Sequence, residues 1–414
     1  MILQSLLPKD RLSAVQDKDR DEKTVLHLAA SIPESLKMIL GLLPKKDLLA
    51  ALQTKDSSGN TVLHLTASIP ESLRIILDQI PAELCLAAVQ DKDSDEQTVL
   101  HRAASIPESL RIILDHLPGK VCLADVQKQD RHGRTVLHQA ASNPESLTMI
   151  LELIPAEEYL AAVQVKDNYK QTILHRAANN PDSLTIILQL LPEQARLDAV
   201  KEADEDEETV LHAATINIES LKIILKQIPE KDLLAAVQVK NTNEQTVLHL
   251  VANDPDSLKK ILVRITAEEC LSAVQDKDSS GNTVLHRAAN NPDSLKTILE
   301  LLPEKARLEA VKAADNEGKT VLHAADAWNT ESLKAILKCL SPEDRLEAFK
   351  AVNSKVKTEQ DVLEQFPESF LATLGYNKND SPSPVSPSSM FKPPTDPKND
   401  ATVVNPQNET MKKK

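Results

Sequence analysis

Glycine is scarce in this chain of 414 residues, with only seven copies, and only four cysteines and one tryptophan are present. Seven scattered glycines leave no Gly-rich loop to cradle a phosphate, and no Ser or Cys sits in a recognisable nucleophile motif. Four cysteines in this length do not make a disulfide framework. Cys85, Cys122 and Cys270 share one phase of the sequence beside an apolar Leu, which reads as a small residue on a half-buried helix. Such usage fits a reducing compartment, so the expected location is the cytoplasm. No run approaches the roughly 18 consecutive apolar residues that a membrane helix requires, so membrane insertion is not expected. Residues 1–15 lack the basic start of a secretory signal. Positive charge is also in short supply, with 48 Lys and Arg against 62 Asp and Glu, for a net charge of -14. From Asn377 onward six Lys face four acidic residues, which leaves about -16 on the preceding body. That surface repels phosphate backbones and excludes nucleic acid as the expected partner.

What the chain does have is a repeat. Thr24-Val25-Leu26-His27 returns with its His at 64, 101, 138, 175, 212, 249, 286 and 323, a period of 37 residues in nine copies. A period of that size marks a solenoid of stacked supersecondary units, each burying its core against its neighbours. The unit reads as three short helices. Thr24 is suited to cap the first, its hydroxyl accepting a first-turn N–H, and Val25, Leu26, Ala29 and Ala30 give that helix a tight apolar face. Pro33 suits the first position of the second helix, with Glu34 at the positive end of its dipole. Asn143, Asn180, Asp254 and Asn291 add a capping side chain before the equivalent Pro, which Ile32, Ile69 and Ile106 cannot. Leu36, Ile39, Leu40 and Leu43 recur at helical spacing as the buried stripe. Pro44 ends that helix and opens a third, whose Leu49, Ala51 and Leu52 form a narrow apolar edge. A polar stretch such as Asp56-Ser57-Ser58-Gly59-Asn60 leads to the next Thr.

The boundaries follow from the repeat. Residues 1–20 match the second half of a unit and act as an N-terminal cap, 21–340 hold nine repeats, and 341–376 form a decayed C-terminal helical cap. Residues 377–414 are rich in Ser, Pro, Asn and Lys and bury too little apolar surface to order themselves.

The pattern resembles the ankyrin repeat, an Asp and Gly turn, then Thr-Pro-Leu-His, then Ala-Ala and a Leu-rich second helix. Asp56, Gly59, Thr61, Leu63, His64 and Ala67 sit on it, as do Asp278, Gly281, Thr283, Leu285, His286, Ala288 and Ala289. The chain departs from that family by carrying Val in place of the motif Pro, Pro-Glu-Ser or Pro-Asp-Ser between the helices, and four extra residues building a third helix. The resemblance implies an all-α solenoid that binds a protein partner. With its altered repeats and polar tail, the chain is similar to ankyrin-type effectors that intracellular bacteria deliver through a type IV secretion system, which implies a host protein as partner.

A column of nine histidines invites a metal or catalytic reading. Stacked helices lie about 8–10 Å apart, whereas two imidazoles on one zinc must lie within about 4 Å, so the column cannot form shared sites. The resemblance implies a structural tie instead, and neither a metal nor another cofactor is expected. The acidic run at 202–208 lacks the alternating ligands and Gly of a calcium loop and reads as a solvated face. The residue after each His differs between copies, and Arg and aromatics are the usual interface anchors. Arg102, Tyr169, Arg176, Arg287 and Trp328 are therefore the candidate protein-binding residues, with Tyr169 at a loop tip that has no core to fill. The reading is a non-enzymatic, monomeric binding scaffold acting through a concave face and inter-repeat loops. An enzyme with a site in residues 341–376 plus the last repeats, where the segment 341–376 shows no acid–base constellation, and a self-assembling rod are the competing readings.

Overall fold

A computed structural model describes residues 8–352, apart from 118–120, 122 and 329. The expected tail, the end of the C-terminal cap, residues 1–7 and Cys122 lie outside the described residues.

The described chain is helical, and three isolated antiparallel bridges, such as Lys92 with Thr98, are the nearest approach to a strand among the described residues. Every unit repeats one order, exemplified by Val62–Thr66, Pro70–Leu77 and Ala82–Gln90 in the second and Ile173–Ala177, Pro181–Leu190 and Glu193–Lys201 in the fifth. The first helices have four or five residues in the first eight units, far below the length at which an isolated helix holds in water. They persist because their apolar side chains are packed on both sides: Leu63, Leu100, Leu137 and Leu174 are at most 2% exposed. First helices stack on first, second on second and third on third, and the buried residues join in one continuous core. The N-terminal helix Pro8–Gln16 lies against the third helix of the first unit, Lys45–Leu52, as a preceding third helix would.

The caps of the second helices follow the side chains. Asn143, Asn180, Asp254 and Asn291 accept first-turn N–H groups, and Asn217, which no Pro follows, does the same. Ile32, Ile69 and Ile106 make no such bond. Cys85 and Cys270 are buried, and burial pushes the Cys270 thiol up to about 11, which fits a packing role.

Candidate protein-binding face

The turn between units is built around one carboxylate. Asp167 Oδ1 accepts the N–H groups of Tyr169 and Gln171, both at 2.9 Å. The same two-bond turn closes on Asp19, Asp56, Asp93, Asp130, Asp204, Asn241, Asp278 and Asp315. A short polar side chain that folds onto its own backbone satisfies a turn that no strand partner covers. Successive tips are then tied by one backbone bond each, from Ser57 N–H to the Asp21 carbonyl through to Asn316 N–H and the Ser280 carbonyl, at 2.8–3.2 Å. The acidic run is a solvated face only in part, with Glu205, Asp206 and Glu207 exposed. Asp204 is buried in its turn, Glu202 pairs with Lys166, and Glu208 accepts from Asn241 Nδ2.

The second carboxylate oxygen decides the fate of the candidate arginines. Arg102 Nε and Nη2 reach Asp93 Oδ2 at 2.9 and 2.5 Å, Arg176 Nη2 reaches Asp167 Oδ2 at 2.9 Å, and Arg287 makes the same two-pronged contact with Asp278. In three of the turns where no Arg follows the His, another donor serves the oxygen. Asn60 reaches Asp56, Arg134 and Gln97 reach Asp130, and Gln171 reaches Asp204. Burial raises the pKa of Asp56, Asp130 and Asp278, but these hydrogen bonds outweigh it and hold all three below the usual carboxylate range. Sequence reasoning missed this network. The recurring offset of nine residues from Asp to Arg in three copies was the signal for it.

Thr and His close a reciprocal box at the start of each first helix, in place of a simple hydroxyl cap. The Thr172 hydroxyl and N–H both donate to His175 Nδ1, at 3.0 and 3.2 Å. Nδ1 is therefore the acceptor and Nε2 carries the proton, which it donates to the Glu208 carbonyl of the next unit at 3.2 Å. Burial pushes the pKa of His64, His101, His138, His175, His212, His249 and His286 down, against weaker opposing contributions from nearby Asp and backbone carbonyls. No group of three metal-ligating side chains occurs among the described residues. His116 stands off the column and bridges the Ile112 carbonyl to Asp78.

Tyr169 is 52% exposed at its tip, and its carbonyl accepts the N–H of Glu205. Trp328 ends the helix Val321–Trp328, and its side chain lies outside the described part. The Tyr169 N–H and the Arg176 guanidinium meet on the two oxygens of Asp167, whereas Arg102 and Arg287 are held on other turns, at Asp93 and Asp278, and Trp328 lies at the end of a helix in the ninth unit. None of the described helices is long and apolar enough to cross a membrane.

Comparison with known proteins finds no matching family model and no matching curated protein. Among solved structures the chain is similar to the ankyrin repeat domain of Bcl-3, described as a unique member of the IkappaB protein family. The two share 20% identity and a TM-score of 0.39 over 59% of this chain and 100% of that one. The all-α repeat architecture rests on the helix layers described above.

Proposed function

We propose that this chain is a protein-binding scaffold that acts by occupancy through its post-His positions and inter-repeat tips. The supporting observation is a division of labour within each unit. The recurring turn Asp, Thr and His are absorbed in turns and boxes, whereas two residues at phases that vary between copies stand exposed, Leu28 after the His at 57% and Tyr169 at a loop tip at 52%. Tyr169 is the proposed anchor. Arg102, Arg176 and Arg287 are proposed contacts of a second kind, since a guanidinium already held on a buried Asp loses less freedom on binding. Trp328 completes the set. The test is to capture a protein ligand by cross-linking in eukaryotic lysate and titrate it against the Tyr169→Ala variant by calorimetry. The expected loss is about 2 kcal/mol, or roughly thirtyfold, and unchanged affinity would move the anchor elsewhere. A narrower part of the proposal is delivery of the protein into a host cell, where it acts on a host protein. This is supported by the resemblance of the repeats and by the composition of residues 377–414. Removing those residues should abolish transfer of a fused reporter while leaving the thermal melt unchanged.

A further inference from the structure

Along its turn edge each unit is stitched to the next by side chains at two fixed phases. The first is the box histidine. Nε2 of every one from His27 to His175, and of His249 and His286, reaches a carbonyl of the following turn at 3.0–3.2 Å. The second is a lysine ahead of the turn. Lys18, Lys55, Lys240 and Lys277 each donate from Nζ to the carbonyl 37 residues on, at 2.7–2.8 Å, and Gln129 makes a longer rung of 3.3 Å. Lys92 and Lys166 turn to glutamates instead, but His101 and His175 still tie those seams.

Between the sixth and seventh units both stitches are missing. His212 is 2% exposed, and its Nε2 has no hydrogen-bond partner, although the Val239 and Gln245 carbonyls stand nearby. Ala203 occupies the lysine phase, so no rung reaches the Lys240 carbonyl. The same alanine deprives the tip of an ion pair. Lys18, Lys92 and Lys240 pair with Glu22, Glu96 and Glu244 four residues on, at 3.0, 3.0 and 3.9 Å, whereas Glu207, four residues after Ala203, is exposed with no ion-pair partner among the described residues. The sixth unit also starts its second helix with Ile218, where the first five and the next two have Pro, after a 3₁₀ turn at Ala214–Ile216. Without the Pro that segment has more conformations to lose on folding.

Apolar packing across the seam is intact, with Leu211 and Leu248 at most 1% exposed. On the second-helix layer the two units are pinned, since Arg264 donates to the Leu225 and Ile228 carbonyls at 2.6 and 3.1 Å. The turn edge keeps the bond from Thr242 N–H to the Asp206 carbonyl, at 2.8 Å, and that from Asn241 Nδ2 to Glu208, at 3.0 Å. We infer that the seam between the sixth and seventh units is where the solenoid opens first, parting along its turn edge about Arg264 while the second helices stay joined. The stability of a solenoid is a sum over units and interfaces, so an interface short of two ties can open without unfolding the rest. This goes beyond the scaffold reading and does not depend on it: the rod has a joint at which the units on either side can tilt.

The amide that reports opening is Thr242 N–H, which crosses this seam. Ser279 N–H crosses the next one, to the Asn243 carbonyl at 3.1 Å, where both stitches are made. Bond length alone would make Thr242 the better protected of the two. Opening predicts the reverse. Hydrogen exchange of the full chain, resolved to single amides and corrected for intrinsic rates, should be at least about fivefold faster at Thr242, the weight of one ordinary hydrogen bond. Ala203→Lys tests the cause. Residue 203 bridges to Thr209 in the register in which Lys92 bridges to Thr98, so a lysine meets there the backbone that other units give it. The variant should slow exchange at Thr242 about fivefold and leave Ser279 unchanged. Exchange at Thr242 no faster than at Ser279 in the wild-type chain would overturn the inference. So would an unchanged Thr242 in the variant, or equal slowing at both amides, which would show that the lysine stabilises the whole rod and not this seam.

Discussion

Replacing His175 by Ala removes two accepted bonds and one donated bond, and leaves Thr172 and the Glu208 carbonyl without their partner in a dry site. The expected cost is about 1–3 kcal/mol, read as a lower midpoint in denaturant, and an unchanged midpoint would contradict the structural role. The turn tips offer a second test. Gly133 has φ +74, and a Cβ there would lie 2.6 Å from Asn168 Oδ1 and 2.8 Å from its backbone N, whereas a Cβ on Gly318, at φ +76, meets nothing within 4 Å. Gly318→Ala should then cost only the left-handed penalty of about 1–2 kcal/mol, and Gly133→Ala more. In five other turns the same backbone is adopted by Glu22, Glu96, Lys170, Glu207 and Glu244, with φ of 55–60. Lys170→Gly should therefore gain about 0.5–1 kcal/mol, the strain removed less the added chain entropy. A lower melting temperature would refute it. The sequence showed Gly at this phase in four copies, but gave no sign that the other five adopt the same conformation.

At the scale of the element, the joint between units is a polar one whose partners trade places. Gln171 donates to Asp204, and one unit later the polarity is reversed, with Asn241 donating to Glu208. Asn241→Asp would set two carboxylates against each other and should cost about 1–2 kcal/mol. Adding Glu208→Gln should restore most of that, because it recreates the pair found at the preceding joint. Thermal melts of the two single variants and the double variant give the coupling, and simple additivity would sink the idea. This element was half legible. The Asp-to-Thr turn could be read from its spacing, but the partner of each carboxylate comes from four, nine or 33 residues away, and no local pattern chooses among them. The same choice explains Arg102, Arg176 and Arg287, whose positions after the His suggested a free surface and whose charge is partly absorbed by buried carboxylates.

Across the whole molecule the histidine column ties stability to pH. Seven of its members have a folded pKa below 6.5, the value of the free side chain. Below about pH 6.5 the unfolded chain therefore binds more protons than the folded one, so stability is complete above that pH and falls as the pH drops. Each histidine can add up to about 1.4 kcal/mol per pH unit to the slope. The lowered carboxylates Asp56, Asp130 and Asp278 act in a separate window, below their ordinary value of 3.8. Denaturant midpoints at pH 7.5, 6 and 5 should fall steeply, and a flat profile would exclude the linkage. The sequence by itself determined the number of units, the three helices in each, their buried stripes and the polar caps. A solenoid unit touches only its neighbours, so the information for its shape recurs every 37 residues and can be read by aligning the chain with itself. Tertiary structure alone decided which polar groups meet and which side chains are left exposed. Hydrogen bonds between units depend on the stacking offset of adjacent turns, a distance that no helical or turn period encodes.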